Sequence, residues 1–165
     1  MLDSEKMGKL APSDLLESIA DIWETERQKS QPDFDDLFKA GLLSKRLAAP
    51  HIQSRLKEWL RNHDPYDKNI WGVAGCFLMG YWQPEDMADE ELVEMLLQAL
   101  EGQSLGQDPR DAIISAISHC HSVLKNVDLL RRIESCFYSL WNQRKRNAYQ
   151  PYVAKALAKV LKVKE

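Results

Sequence analysis

The chain has 165 residues, of which 44% are hydrophobic and 28% charged, as expected for one soluble globular domain with a real core. Its three cysteines, Cys76, Cys120 and Cys136, are odd in number, lie inside apolar helical patterns and lack C-x-x-C spacing, which fits a reducing compartment and plain core thiols. The net charge of −3 combines −9 over residues 1–110 (12 basic, 21 acidic) with +6 over residues 111–165 (10 basic, 4 acidic). We expect a cytoplasmic protein, because no secretory leader opens the chain, and partners selected by charge.

Helical periodicity runs along the chain from about residue 12. We interpret residues 1–11 as a flexible arm and residues 12–165 as a single α-helical domain. Ser13 and Asp14 offer N-cap chemistry for the first helix, and Gly41 stands where a short second helix would be capped. No segment shows the strand-like alternation of apolar and polar residues. The pattern predicts an all-α fold of about eight helices, at roughly 13–29, 32–41, 51–61, 69–82, 89–102, 108–120, 129–141 and 151–161.

The stretch from residue 69 to residue 82 carries almost no polar side chain. A helix that is apolar on every side belongs in an interior, and this one is too short to cross a bilayer, which needs about 20 apolar residues. Its glycines, Gly72, Gly75 and Gly80, each lower helix stability by roughly 1 kcal/mol relative to alanine. We therefore expect neighbouring helices to approach its backbone closely. The predicted interior residues are Trp71, Val73, Ala74, Phe77 and Leu78.

A turn followed by a helix recurs along the chain at Asp64-Pro65, Asp108-Pro109 and Gln150-Pro151. The spacing is 44 residues from Asp64 to Asp108 and 42 from Pro109 to Pro151. This period resembles that of HEAT repeats, which are antiparallel helix pairs of roughly 40–47 residues. The resemblance covers residues 64–165 and implies an α-solenoid of antiparallel pairs. The alternative is an irregular helical bundle with short loops.

Two short motifs are compatible with chemistry, and in both the context is unfavourable. Residues 102–106 read G-Q-S-L-G, but a nucleophile elbow needs a preceding strand, whereas a helix is expected here. In His119-Cys120-His121 the histidines are two positions apart, and a helix directs such side chains away from each other. A helical zinc pair needs i, i+4 spacing. We therefore predict no catalytic residue, no metal site and no cofactor.

A basic region near the carboxyl end interleaves cations with aromatic residues. Cationic groups beside stacking rings are typical of single-stranded nucleic-acid binding. The region is small and the chain as a whole is acidic, so we keep nucleic-acid binding as an alternative function. The residues that would carry it are Arg131, Arg132, Arg144, Lys145, Arg146 and Tyr149.

An acidic tract separates Lys68 from Arg110, with eight acidic residues and no basic residue between them. Surface helices normally mix both signs, and a surface of one sign steers an oppositely charged partner. We expect a non-enzymatic module that binds a basic protein, such as a bacterial immunity protein that inhibits a nuclease toxin, with no membrane partner. An enzyme with an unrecognised site is a further alternative. The expected docking residues are Glu85, Asp86, Asp89, Glu90, Glu91 and Glu94.

Overall fold

The computed structural model describes residues 2–82, 88–102, 105–120, 124–143, 155, 158 and 159. This part of the chain is all-α, and no strand occurs in it, which confirms the predicted fold class. The elements are α1 (Ser4–Gly8), α2 (Pro12–Gln28), α3 (Phe34–Leu43), a 3-10 turn (Ser44–Arg46), α4 (Ala49–Arg61), α5 (Lys68–Tyr81), α6 (Glu90–Gly102), α7 (Gln107–Cys120) and α8 (Val127–Gln143).

Short polar side chains begin several of these helices. Asp33 and Asp67 accept hydrogen bonds from backbone N–H groups in the first turns of α3 and α5, and so satisfy donors that have no partner within the helix. The first long helix differs from the expectation. Pro12 occupies its opening turn and Ala11 is the N-cap residue, so Ser13 and Asp14 lie inside the helix.

Residues 2–11, predicted as a flexible arm, contain the short helix α1, which contacts α2 and α3. The Leu2 amide donates to Asp36, and the Arg46 guanidinium donates to the Gly8 carbonyl oxygen. These contacts join the opening residues to the body of the domain.

Helix α5 lies between α3 and α7 and makes its most extensive contacts with those two helices. The five residues predicted to be interior are all buried, which confirms that α5 forms the centre of the core. Helix α2 packs on α3, α4 and α5, and α6 packs on α7 and α8. In stacked helix pairs the corresponding helices of successive pairs are neighbours, which is the relation among α3, α5 and α7. A regular solenoid remains a prediction, and its third opening at Pro151 lies outside the described residues.

Glycines make the close helix crossings possible. A Cβ atom at Gly80 would lie 2.1 Å from the Phe38 carbonyl oxygen, and one at Gly75 would lie 2.8 Å from the Ala112 side chain. The expected close approach is therefore confirmed at these two positions, whereas Gly72 makes only an ordinary contact with Pro109. Gly41 was predicted to be a helix cap. It lies instead inside α3. Glycine is needed there because a Cβ atom would be 2.2 Å from the Phe77 carbonyl oxygen.

Candidate functional site

The acidic tract provides the first candidate surface, and the structure describes four of its six predicted docking residues. Asp89, Glu90, Glu91 and Glu94 lie at the start of α6, whereas Glu85 and Asp86 lie outside the described residues. Lys57 Nζ of α4 is 2.8 Å from Asp89 Oδ2 and 3.5 Å from Glu91 Oε2.

Three further contacts of the tract involve cations or donors from other elements. Arg61 of α4 pairs with Glu91. Asn126, before α8, donates a hydrogen bond of 3.4 Å to Glu90. Arg132 of α8 pairs with both Glu94 and Glu101, and its distance to Glu101 Oε1 is 2.6 Å. Hydrogen bonding to Arg132 holds the pKa of Glu94 below its ordinary value.

These contacts correct the inference that the acidic tract forms a surface of one sign. The tract has one sign along the sequence, but α4 and α8 bring Lys57, Arg61 and Arg132 against it. The carboxylates therefore connect α6 to α4 and to α8. Lys57 and Arg61 are four residues apart and so share one face of α4, which is the sequence signal that could have indicated this pairing.

One predicted residue of the basic region, Arg132, takes part in the contacts of the acidic tract. Arg132 is engaged by two carboxylates, and Arg131 lies 3.8 Å from Asp128 on the exposed face of α8. The other predicted nucleic-acid-binding residues, Arg144, Lys145, Arg146 and Tyr149, lie outside the described residues. The acidic and basic candidate surfaces therefore meet at Arg132 and neutralise each other there.

Replacing Arg132 with glutamine is expected to lower the free energy of unfolding at pH 7 by about 1 kcal/mol, because the ion pairs are partly solvent-exposed. The pKa of Glu94 should rise, which NMR titration can follow. A carboxylate whose pKa is lowered in the folded state stabilises the fold at pH values above its ordinary pKa of 4.5. This stabilisation is lost as the pH falls through the lowered pKa. The difference between wild type and Arg132→Gln should therefore shrink on acidification towards pH 3. Arg131→Gln is the matched control, and an equal loss in both variants would contradict the assigned pairing.

Each of the two motifs considered for chemistry has a residue outside the described ranges, Ser104 in the first and His121 in the second. Gly102 ends α6 and Gly106 precedes α7, so the G-x-S-x-G pattern lies between two helices, without the strand that an elbow needs. His119 Nδ1 lies 2.7 Å from the Ser115 carbonyl oxygen, to which it donates. No group of three or more His, Cys, Asp or Glu side chains in the described ranges is placed to hold a metal ion.

The three thiols are expected to react slowly with a maleimide reagent in the folded protein. All three cysteines are free and buried, and burial raises the pKa of Cys76 and of Cys136 to about 12 and also raises that of Cys120. Little thiolate is then available as the nucleophile. Mass spectrometry should find three labels after denaturation in urea and almost none before it. Rapid labelling of Cys120 in the native state would revive a metal or redox function for it.

A groove between α3 and α7, with α5 at its base, is the second candidate surface, and the sequence analysis missed it. Its volume is about 280 Å³. Positions 34 and 38 are one turn apart on α3, and positions 108, 111 and 115 share one face of α7. The lining residues are Phe34, Asp35, Phe38, Cys76, Met79, Asp108, Asp111, Ala112 and Ser115.

The carboxylates of this groove differ from those of the acidic tract. Asp35, Asp108 and Asp111 form no ion pair with a described residue. Asp35 and Asp108 lie in the first turns of their helices, where the helix dipole favours acids. Asp111 lies deeper, and its Oδ1 atom is buried without a hydrogen-bond partner. Burial, together with the charge of Asp108, raises the pKa of Asp111 to about 6, and the charge of the adjacent Arg110 and a hydrogen bond with Gln107 offset only part of that rise.

A larger cleft between α1, α2 and α3, of about 530 Å³, provides a useful contrast. The buried Glu26 is paired with Lys29, and Asp36 accepts a hydrogen bond from the Leu2 amide. The side chain of Asp3 caps α1. The most buried carboxylate of this cleft is thus neutralised within the chain, whereas those of the groove have no ion-pair partner among the described residues.

Comparison with known proteins adds no assignment. No described helix is both long enough and apolar enough to span a membrane. No protein-family model, curated protein or solved structure matches this chain.

Proposed function

We propose that this chain is a non-enzymatic helical module that binds a basic protein and inhibits it, as a cytoplasmic bacterial immunity protein inhibits a nuclease toxin. One observation carries the proposal: the groove combines exposed apolar surface with carboxylates that have no ion-pair partner in the described structure. Phe38, at its edge, is 39% exposed. Apolar side chains beside uncompensated charge are typical of surfaces that select a protein partner of opposite sign.

The charge and size of the groove favour a protein over other partners. Carboxylates repel phosphate groups, and phosphate contacts supply most of the affinity for nucleic acids. The volume of about 280 Å³ is below the roughly 300–1,000 Å³ that is usual for small-molecule sites. A groove of this size suits one or two side chains that project from a larger partner.

The raised pKa of Asp111 is an observation that favours the alternative function, an enzyme. A carboxyl group with a raised pKa beside an ionised one is the arrangement that acid–base enzymes use. Here the two groups are Asp111 and Asp108. The rest of the lining consists of four apolar residues, with Asp35, Ser115 and the buried Cys76 as further polar groups. This lining offers little that would orient a polar substrate, so we favour protein binding.

The proposal is tested by affinity capture with the full chain as bait, followed by mass spectrometry. We expect a basic protein that is retained at about 50 mM salt and released several-fold more readily at about 500 mM, because the attraction between exposed charges is screened. Recovery of acidic proteins only, or retention that does not depend on salt, would contradict the proposal. Recovery of nucleic acid lost after charge reversal at Arg144, Lys145 and Arg146 would favour the alternative function.

The inhibitory role needs a separate measurement. If the captured protein degrades DNA or RNA, stoichiometric addition of this chain should abolish that activity. The nuclease reaction is followed with a labelled substrate at increasing ratios of chain to nuclease. An unchanged rate at saturating chain would refute the antagonist role and leave protein binding standing.

A further inference from the structure

We infer that the groove between α3, α5 and α7 is an anchor site for a single cationic side chain of the basic partner, an arginine or lysine next to an apolar residue. This inference rests on the proposed function and adds the chemistry of recognition. It assigns the contact to the groove and not to the acidic tract of α6, where the described carboxylates already have partners.

The apolar part of the groove suits the stem of such a side chain. Phe34 and Phe38 provide aromatic surface from α3, and Met79 provides a thioether from α5. Arginine and lysine bury their methylene stems against apolar surface, and a cation within about 6 Å of an aromatic ring centre is attracted to its face. The apolar neighbour of the cation would cover the exposed edge of Phe38.

The charged part of the groove suits the head of the side chain. Asp35 on α3 and Asp108 on α7 contribute carboxylates from the two helices that flank the groove, and the less exposed Asp111 adds a third from α7. Burial raises the pKa of Asp111, and the neighbouring charge of Asp108 raises it further, so a cation placed beside the two carboxylates would relieve their mutual repulsion. Hydrogen bonds between a guanidinium and a carboxylate are also stronger than neutral ones.

A metal ion is a less suitable occupant than a side chain. No group of three or more His, Cys, Asp or Glu side chains in the described ranges is arranged to hold an ion, so the groove lacks the several protein oxygens that Ca²⁺ takes. The apolar walls of the groove also cannot replace the water ligands that a metal ion would lose on entering it. A cation on an apolar stem matches both halves of the lining.

Peptide selection tests the inference even before the partner is identified. A phage library of random 12-residue peptides is selected on the biotinylated full chain, and the enriched peptides are synthesised. We expect binders with an arginine or lysine beside an apolar residue. Replacing that arginine with citrulline, its neutral isostere, should weaken binding at least tenfold, and this comparison leaves the protein unchanged.

Variants of the chain then locate the contact. Asp108→Asn combined with Asp111→Asn should weaken the cationic peptides at least tenfold, and Asp108→Asn alone should give a smaller loss. Asp14→Asn with Asp21→Asn removes two exposed acids from α2 and is the matched control, which should change binding less than twofold. Circular dichroism of each variant confirms that its helices are intact. The exposed position of Asp108 makes the single variant usable if the double variant is unfolded.

Several outcomes would overturn the anchor site. In the peptide experiments, these are enrichment of peptides without a cation and equal binding of the arginine and citrulline peptides. In the variant experiments, they are an equal loss of affinity in the groove and control variants, and the absence of any peptide that prefers wild type over Asp108→Asn. The proposed function fails by a different observation, the absence of any basic protein in the affinity capture. A captured basic protein that binds the groove variants normally would refute the anchor site alone.

Discussion

Replacing Phe77 with alanine is expected to lower the free energy of unfolding by about 3–5 kcal/mol, as truncation of a fully buried aromatic residue does. Phe77 has no exposed surface, and its ring packs edge-on against Trp23 with ring centres 5.0 Å apart. It also stacks on Tyr81. The neighbouring rings are large and rigid, so they are poorly able to close the cavity that alanine would leave.

Urea denaturation followed by circular dichroism measures this loss. Tyr66→Ala is the matched control, because Tyr66 is 75% exposed and its truncation should change stability by less than about 0.5 kcal/mol. A loss below about 1 kcal/mol for Phe77→Ala would mean that α5 is not the centre of the core.

Gly80→Ala is expected to destabilise the fold by about 3 kcal/mol or more, the upper end of what overpacking usually costs. The added Cβ atom would lie 2.1 Å from the Phe38 carbonyl oxygen, so either α3 or α5 would have to move. Backbone atoms cannot rotate away as a flexible side chain can. Thermal unfolding of the variant should give a clearly lower midpoint.

The control for Gly80 is Gly102, which also lies in a helix but has nothing within 4 Å of its Cβ position. Gly102→Ala should be neutral or should stabilise the protein by up to about 1 kcal/mol, since alanine favours the helix. Similar losses in the two variants would mean that glycine is needed for a reason other than the crossing of α3 and α5.

The sequence predicted those features that depend on a local pattern. Periodic apolar residues identified the helices, and the absence of polar residues around Phe77 identified the central one. The glycines of α5 indicated close packing, but the crossing partner of Gly80 could not be named. The local pattern around Gly41 suggests a helix cap. Its actual role could not be predicted, because it depends on contact with the backbone of Phe77, 36 residues away in the chain.

The candidate site was less predictable, because charge pairing and grooves are tertiary properties. The eight acids between Lys68 and Arg110 suggest a surface of one sign. That inference fails because Lys57 and Arg132, which are distant in the sequence, pair with them in the fold. The position of Asp108 is explained by the start of a helix, and nothing in the chain order places Asp108 or Asp111 beside Phe38. Helix packing brings these groups together.

The glycine crossings have a consequence for how the groove could diversify. Backbone contacts at Gly41 and Gly80 fix the spacing of α3 and α5, and the contact of Gly75 with Ala112 and the Ile113 amide fixes that of α5 and α7. The width of the groove therefore does not depend on the side chains at positions 34, 38, 111 and 115. Such a preorganised cleft loses little conformational entropy on binding. Substitutions at positions 34, 38, 111 and 115 could therefore change which partner is accepted while the framework stays the same. A set of proteins with different binding specificities could arise from this backbone by exchanging only those wall residues.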